Sequence, residues 1–164
     1  MIVLDTSAAI EIARGTEMGH KFERLTLKGE QIISVDLFYG EVCSSFTKYV
    51  KAEVMTRDEA ARMVERAVGL VDKFVPMRDL YPEAFNESLR FAHSPYDMFY
   101  FVLARRTAGT LFTMDQRLIK LALQNGLNCV YGDTSVQDDP WTIRLETVEG
   151  PGRVYTREEL LGRG

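Results

Sequence analysis

Apolar residues in this chain fall into two kinds of run. The first kind is short and largely apolar: residues 2–4 (Ile-Val-Leu), 32–35 (Ile-Ile-Ser-Val), 110–113 (Thr-Leu-Phe-Thr) and 127–130 (Leu-Asn-Cys-Val). Runs this short, without strict alternation, predict strands buried on both faces. The second kind recurs every three or four residues. Leu37, Phe38, Val42, Phe46 and Val50 form one such stripe, predicting a helix from Asp36 to about Lys51. Met18, Phe22 and Leu25 form another within 18–28, ended by Gly29.

Capping signals supply the remaining boundaries. Ser7 reads as the cap of a helix over 8–13 that stops at Gly15. Thr56-x-x-Glu59 is a capping-box pattern opening a helix to about Lys73. Residues 74–76 read as a short strand or a connector, and a helical pattern follows over 79–91. Ser94-Pro95 places a cap before a first-turn proline. Residues 98–104 are apolar almost throughout, so the helix they belong to is expected to be deeply buried until Gly109 ends it. A last helix runs from Asp115 to Asn125-Gly126.

Strands alternating with helices imply an α/β fold: three layers, α/β/α, around a mostly parallel central sheet. The pattern holds over residues 1–131. Beyond it, Asp133, Asp138, Asp139, Pro140, Gly150, Pro151 and Gly152 break it. Residues 132–164 therefore read as a C-terminal appendage. It is expected to hold a hairpin over 142–155 turning at 149–152 and a short helix over 156–161, with Trp141 pinning it to the body.

Composition narrows the function classes. A 46% hydrophobic and 27% charged chain is ordinary for a soluble globular protein. A net charge of −4 argues against coating nucleic acid by bulk positive charge, while leaving room for a local basic rim around an acidic site. Cys43 and Cys129 make no disulfide framework and are expected as buried free thiols. No apolar run approaches the roughly 20 residues that span a bilayer, and Met-Ile-Val-Leu-Asp is no secretory leader. A cytoplasmic protein without a membrane role is expected.

The candidate chemistry lies in four carboxylates. Asp5 and Asp115 directly follow predicted strands, and Asp97 lies in a first helical turn. In open parallel sheets these places share the ligand-binding edge at the carboxyl ends of the strands. Glu41 lies further along its helix in apolar company, beside Gly40, which reads as room for something to pack closely. Each acid also fits an ordinary use: a cap for Asp5 and Asp115, a capping box or dipole partner for Asp97, a solvated face for Glu41. Brought together, such acids do not all stay ionised unless a cation joins them. An all-oxygen acidic pocket suits Mg²⁺ or Mn²⁺.

In order and spacing, IVLDTS (2–7), DLFYGEV (36–42), SPYDMFYFVLAR (94–105) and LFTMDQRL (111–118) resemble the PIN-domain family of metal-dependent ribonucleases. The resemblance covers roughly residues 1–131. It implies that Asp5, Glu41, Asp97 and Asp115 form a catalytic, metal-holding site. Asp5 and Asp97 would grip Mg²⁺ or Mn²⁺ most directly, and Thr113 would support it. It implies hydrolysis of RNA phosphodiesters, a homodimer and, since short members are commonly toxins of type II toxin–antitoxin pairs, an antitoxin. Arg105, Arg106, Arg117 and Lys120 are candidates for an RNA path, or are simply solvated helix cations. His20 and His93 lie off the motifs, and His93 is expected to cap or pack.

Three other readings fit parts of the pattern. A haloacid-dehalogenase-type phosphatase requires a second aspartate where this chain has Ser7. A receiver domain requires paired acids after its first strand and a late lysine. A non-catalytic RNA- or protein-binding module on the same fold is the remaining alternative.

Overall fold

A computed structural model describes residues 1–26, 29–132, 143–147 and 150–155. The strands are β1 (Ile2–Leu4), β2 (Ile32–Val35), β3 (Lys73–Val75), β4 (Thr110–Phe112), β5 (Cys129–Gly132), β6 (Ile143–Thr147) and β7 (Gly150–Tyr155). The helices are α1 (Thr6–Arg14), α2 (Glu17–Leu25), α3 (Leu37–Lys51), α4 (Arg57–Gly69), α5 (Tyr81–Phe91), α6 (Pro95–Thr107) and α7 (Gln116–Gln124). The sheet order is β3-β2-β1-β4-β5-β6-β7. The first five strands in that order pair in parallel. This is the α/β architecture with a mostly parallel sheet that the alternating runs predict.

Strand side chains alternate between the two faces, so β1 serves two cores. Val3 joins a layer built from α6, α7 and Leu80 and Ala84, while Ile2 and Leu4 join one built from α1 to α4. Helix α6 is the most enclosed: Met98, Tyr100, Phe101, Val102, Leu103 and Ala104 are each 2% exposed or less. A helix apolar all round has to lie inside, and here it lies across β1, β2 and β4.

Several boundaries move from expectation. Residues 73–75 are a strand, because they add to β2, so α4 stops at Gly69. The capping box at Thr56 and Glu59 is fully formed. Helix α1 begins at Thr6 with Asp5 as its cap, not Ser7, which leaves the Ser7 hydroxyl inside the first turn. Cys129 is buried, but Cys43 is exposed on α3. The C-terminal hairpin exists as β6 and β7 and extends the sheet antiparallel from β5. Trp141 and the helix expected over 156–161 lie outside the described residues. Among the described residues no helix is long and apolar enough to cross a membrane.

Candidate active site

The strand order reverses direction between β1 and β4, the switch point at which open α/β sheets leave a crevice. Asp5 follows one of these strands and Thr113 the other, and the Asp5 amide donates to the Phe112 carbonyl across 3.0 Å. Although Asp5 caps α1, its carboxylate makes no capping bond. Its Oδ2 instead accepts from Ser7 Oγ at 2.5 Å and Thr113 Oγ1 at 2.6 Å. Ser7 Oγ in turn accepts the Met114 amide at 2.9 Å, and Thr113 Oγ1 the Asp115 amide at 3.0 Å. Asp5 is only 7% exposed. Burial pushes its carboxyl up to about 6; the two hydroxyl donors oppose that shift, and the charges of Glu41 and Asp97 add to it.

Glu41 reaches the same crevice from α3. Its Oε2 accepts from Thr6 Oγ1 at 2.8 Å and from Tyr100 Oη at 2.6 Å, and the two hydroxyls lie 2.9 Å apart. Tyr100 is buried, and burial together with the charges of Asp5 and Glu41 raises its phenol far above the ordinary range, so it stays a proton donor. Gly40 faces open space rather than a close neighbour, so the room beside Glu41 belongs to the cleft.

Asp97 sits in the first turn of α6, where Ser94 caps without a side-chain bond. Burial and the charges of Asp115 and Glu41 raise its carboxyl, against the pull of His93 and Arg117. His93 Nδ1 lies 3.1 Å from Asp97 Oδ2, and its side chain is 8% exposed. Neither ring nitrogen has a hydrogen-bond partner, so the approach to Asp97 is electrostatic rather than a directed bond. Asp115 caps α7, its Oδ1 accepting the Arg117 and Leu118 amides at 2.8 and 3.0 Å.

Asp5, Glu41, Asp97 and Asp115 all line one open cleft of about 420 Å³, joined by Ser7 and by Lys48 of α3. A larger hollow of about 510 Å³ against α5 holds no carboxylate. Among the described residues no three His, Cys, Asp or Glu side chains converge closely enough to chelate an ion alone. The donor set is nonetheless all oxygen, and burial and then its neighbouring carboxylates raise the carboxyls of Asp5 and Asp97. That matches Mg²⁺, which takes one or two carboxylates and leaves its other positions to water and substrate phosphate.

The basic candidates divide. Arg105 donates to Glu83 and Glu87 at 2.5 and 2.8 Å, and Arg106 to Glu83 and the Asp79 carbonyl at 2.6 and 2.9 Å. These two guanidiniums clamp α6 to the α5 region. Arg117 and Lys120 are exposed on α7, and the Arg117 charge acts on Asp97. Read from the sequence, Thr6, Tyr100 and Lys48 have no site role and Ser7 is only a helix cap. The signal for Thr6 and Ser7 was the hydroxyl pair directly after Asp5, and for Tyr100 a phenol inside an apolar run, which needs a partner when buried.

Residues 2–124 match the family model described as the PIN domain. Ribonuclease VapC3 of Pyrobaculum aerophilum is 26% identical over 119 residues, covering 71% of this chain and 91% of that protein. Ribonuclease VapC12 of Mycobacterium tuberculosis is 30% identical over 118 residues, covering 72% of this chain and 89% of that protein. The crystal structure of PAE2754 from Pyrobaculum aerophilum shares the fold, with a TM-score of 0.56 at 18% identity over 73% of this chain and 82% of the other.

Proposed function

The chain belongs to the PIN-domain family, and on that premise we propose that it is an endoribonuclease using Mg²⁺ or Mn²⁺ at the acidic cleft. The observation that carries this reading is the convergence of Asp5, Glu41, Asp97 and Asp115 on one cleft, where burial and then the neighbouring carboxylates raise the carboxyls of Asp5 and Asp97. Such crowding calls for a cation. Asp5 and Asp97 would hold it, with Glu41 and Asp115 completing the set directly or through water. When bound, the ion supplies a nucleophilic water near neutral pH and offsets the charge of the phosphodiester.

The chain's own groups prepare that site. Ser7 and Thr113 aim one Asp5 oxygen by hydrogen bonds, leaving Oδ1 without a hydrogen bond among the described residues. Thr6 and Tyr100 fix Glu41 in the same way, and the buried Tyr100 hydroxyl keeps its proton. His93 places a ring beside Asp97 that favours the ionised carboxylate. Arg117 and Lys120 stand on the exposed surface of α7, available to a polyanion, whereas Arg105 and Arg106 are held by α5 acids.

The same reading makes the protein the cytoplasmic toxin of a type II pair, blocked by an antitoxin, with the VapC ribonucleases as relatives. It also includes a homodimer. Tyr81, Phe85 and Leu89, four residues apart on α5 and each more than half exposed, form an apolar stripe that supports such pairing.

The test is cleavage of structured and unstructured RNA with Mg²⁺, Mn²⁺ or EDTA, beside Asp97→Asn. Cleavage that needs metal and disappears in the variant is expected. Cleavage persisting in EDTA or in the variant overturns the assignment. A protein that Mn²⁺ stabilises but that cuts no RNA would point to the binding-module alternative.

A further inference from the structure

The cleft continues past the carboxylates along one face of α3. Leu37, Gly40, Glu41, Ser44, Ser45 and Lys48 all line it, and their spacing of three and four residues is that of a single helical face. Seven residues separate Glu41 from Lys48, about 10 Å along the axis at the helical rise. Gly40 opens onto free space, and the hydroxyls of Ser44 and Ser45 make no hydrogen bond among the described residues. The floor between the acids and the lysine is therefore low and lined with unused donors.

Lys48 is the single cation among the described residues lining this cleft. It is exposed, and no described carboxylate lies within ion-pair distance of it. Several arginines of the fold are engaged: Arg14 stacks on Tyr49, Arg66 pairs with Glu23, and Arg105 and Arg106 pair with Glu83. A cation in the last turn of a helix complements the dipole. That explains Lys48 no better than Lys51, which shares the last turn but does not line the cleft.

Resting on the ribonuclease reading above, we propose that Lys48 binds a backbone phosphate of the RNA strand that flanks the scissile one, with the Ser44 and Ser45 face as the strand's floor. The four acids repel every phosphate of the substrate that no cation covers. A point charge about two helical turns along α3 attracts the next part of the strand and sets its register over the carboxylates. The contact is to phosphate, so it carries affinity and register without base preference.

The experiment uses the full chain, with Lys48→Met, which keeps the apolar stem, and Lys48→Arg, which keeps the charge. Steady-state cleavage of a short single-stranded RNA should show KM raised about tenfold in Lys48→Met with kcat within about twofold, and recovery in Lys48→Arg. Binding of the same RNA, read by fluorescence anisotropy in the Asp97→Asn background, should lose about 0.7 from the slope of log affinity against log salt. Circular dichroism and melting temperature check that each variant is folded. An unchanged KM and an unchanged salt slope overturn the assignment of Lys48 while leaving the nuclease reading intact. Absence of cleavage by the wild type, with the anisotropy slope still reduced by Lys48→Met, rejects the nuclease reading and keeps the phosphate contact. Absence of any RNA binding rejects both.

Discussion

The Thr113 hydroxyl donates to Asp5 Oδ2 across 2.6 Å, joining residues 108 apart in sequence and closing the ends of β4 and β1 over the cleft. Thr113 Oγ1 itself accepts the Asp115 amide, so one buried hydroxyl serves two of the four acids. Thr113→Val removes both bonds and leaves a buried amide and carboxylate short of a partner, at a cost of about 2–3 kcal/mol. The expected result is a lower melting temperature and a higher Mn²⁺ concentration for half-maximal stabilisation. Thr113→Ser should restore both in thermal shift titrations, and equal behaviour of the Val variant and wild type would contradict the role.

Asp5 gives a pH dependence with a definite sign. Its carboxyl is pushed from an ordinary 3.8 to about 6 in the fold. The native state therefore holds the proton more tightly than the unfolded chain, so the metal-free protein loses stability as pH rises from about 4 to about 6. The full loss from this group is on the order of 3 kcal/mol, present at pH 7. Asp97, also raised, adds in the same direction. Melting in EDTA should show a lower midpoint at pH 7 than at pH 5. Asp5→Asn should flatten that difference and stand above wild type at pH 7. A wild-type midpoint that climbs through this window would refute the linkage.

Tyr100 and Glu41 offer a separate check on how the second carboxylate is held. Tyr100→Phe keeps the ring in the core but deletes the donor at 2.6 Å from Glu41. Loss of a hydrogen bond to a charged group costs about 2 kcal/mol. A fall in melting temperature together with a several-fold loss of cleavage rate at saturating RNA is expected. A change in neither would mean that Thr6 alone positions Glu41.

Much of this arrangement was legible in the chain before the fold was known, for reasons that can be named. Residues 2–4 and 110–113 announce buried strands because they are short runs of apolar and β-branched residues without a charge, and an acid just after such a strand has only one edge of the sheet to occupy. Hydrogen-bond partners were not legible in the same way. Tyr100 lies in an apolar run that explains its burial completely, so nothing local reveals that its hydroxyl meets Thr6 and Glu41 from other elements. Arg105 and Arg106 read in the sequence as RNA-path candidates or solvated helix cations, but which helix packs beside them is a tertiary fact, and that helix carries Glu83 and Glu87. Lys48 was hidden for the converse reason. A lysine near the end of a helix looks ordinary until the helix face is seen to continue the cleft.

Asp115 carries two readings at once, and substitution separates them. Its Oδ1 caps α7 through the Arg117 and Leu118 amides, while its charge adds to that of the cleft and raises Asp97. Asp115→Asn keeps an oxygen for the cap and removes the charge. Asp115→Ala removes both, and loss of a cap costs about 1 kcal/mol. If the carboxylate serves the site, both variants should lose metal-dependent cleavage to a similar degree, while only the alanine variant melts several degrees lower. If Asp115 is a cap and nothing more, Asp115→Asn should cleave RNA like the wild type, and activity across the two variants should follow their melting temperatures. Cleavage rates and melting curves measured on the same preparations decide between these outcomes, because the cap depends on an oxygen and the site depends on its charge.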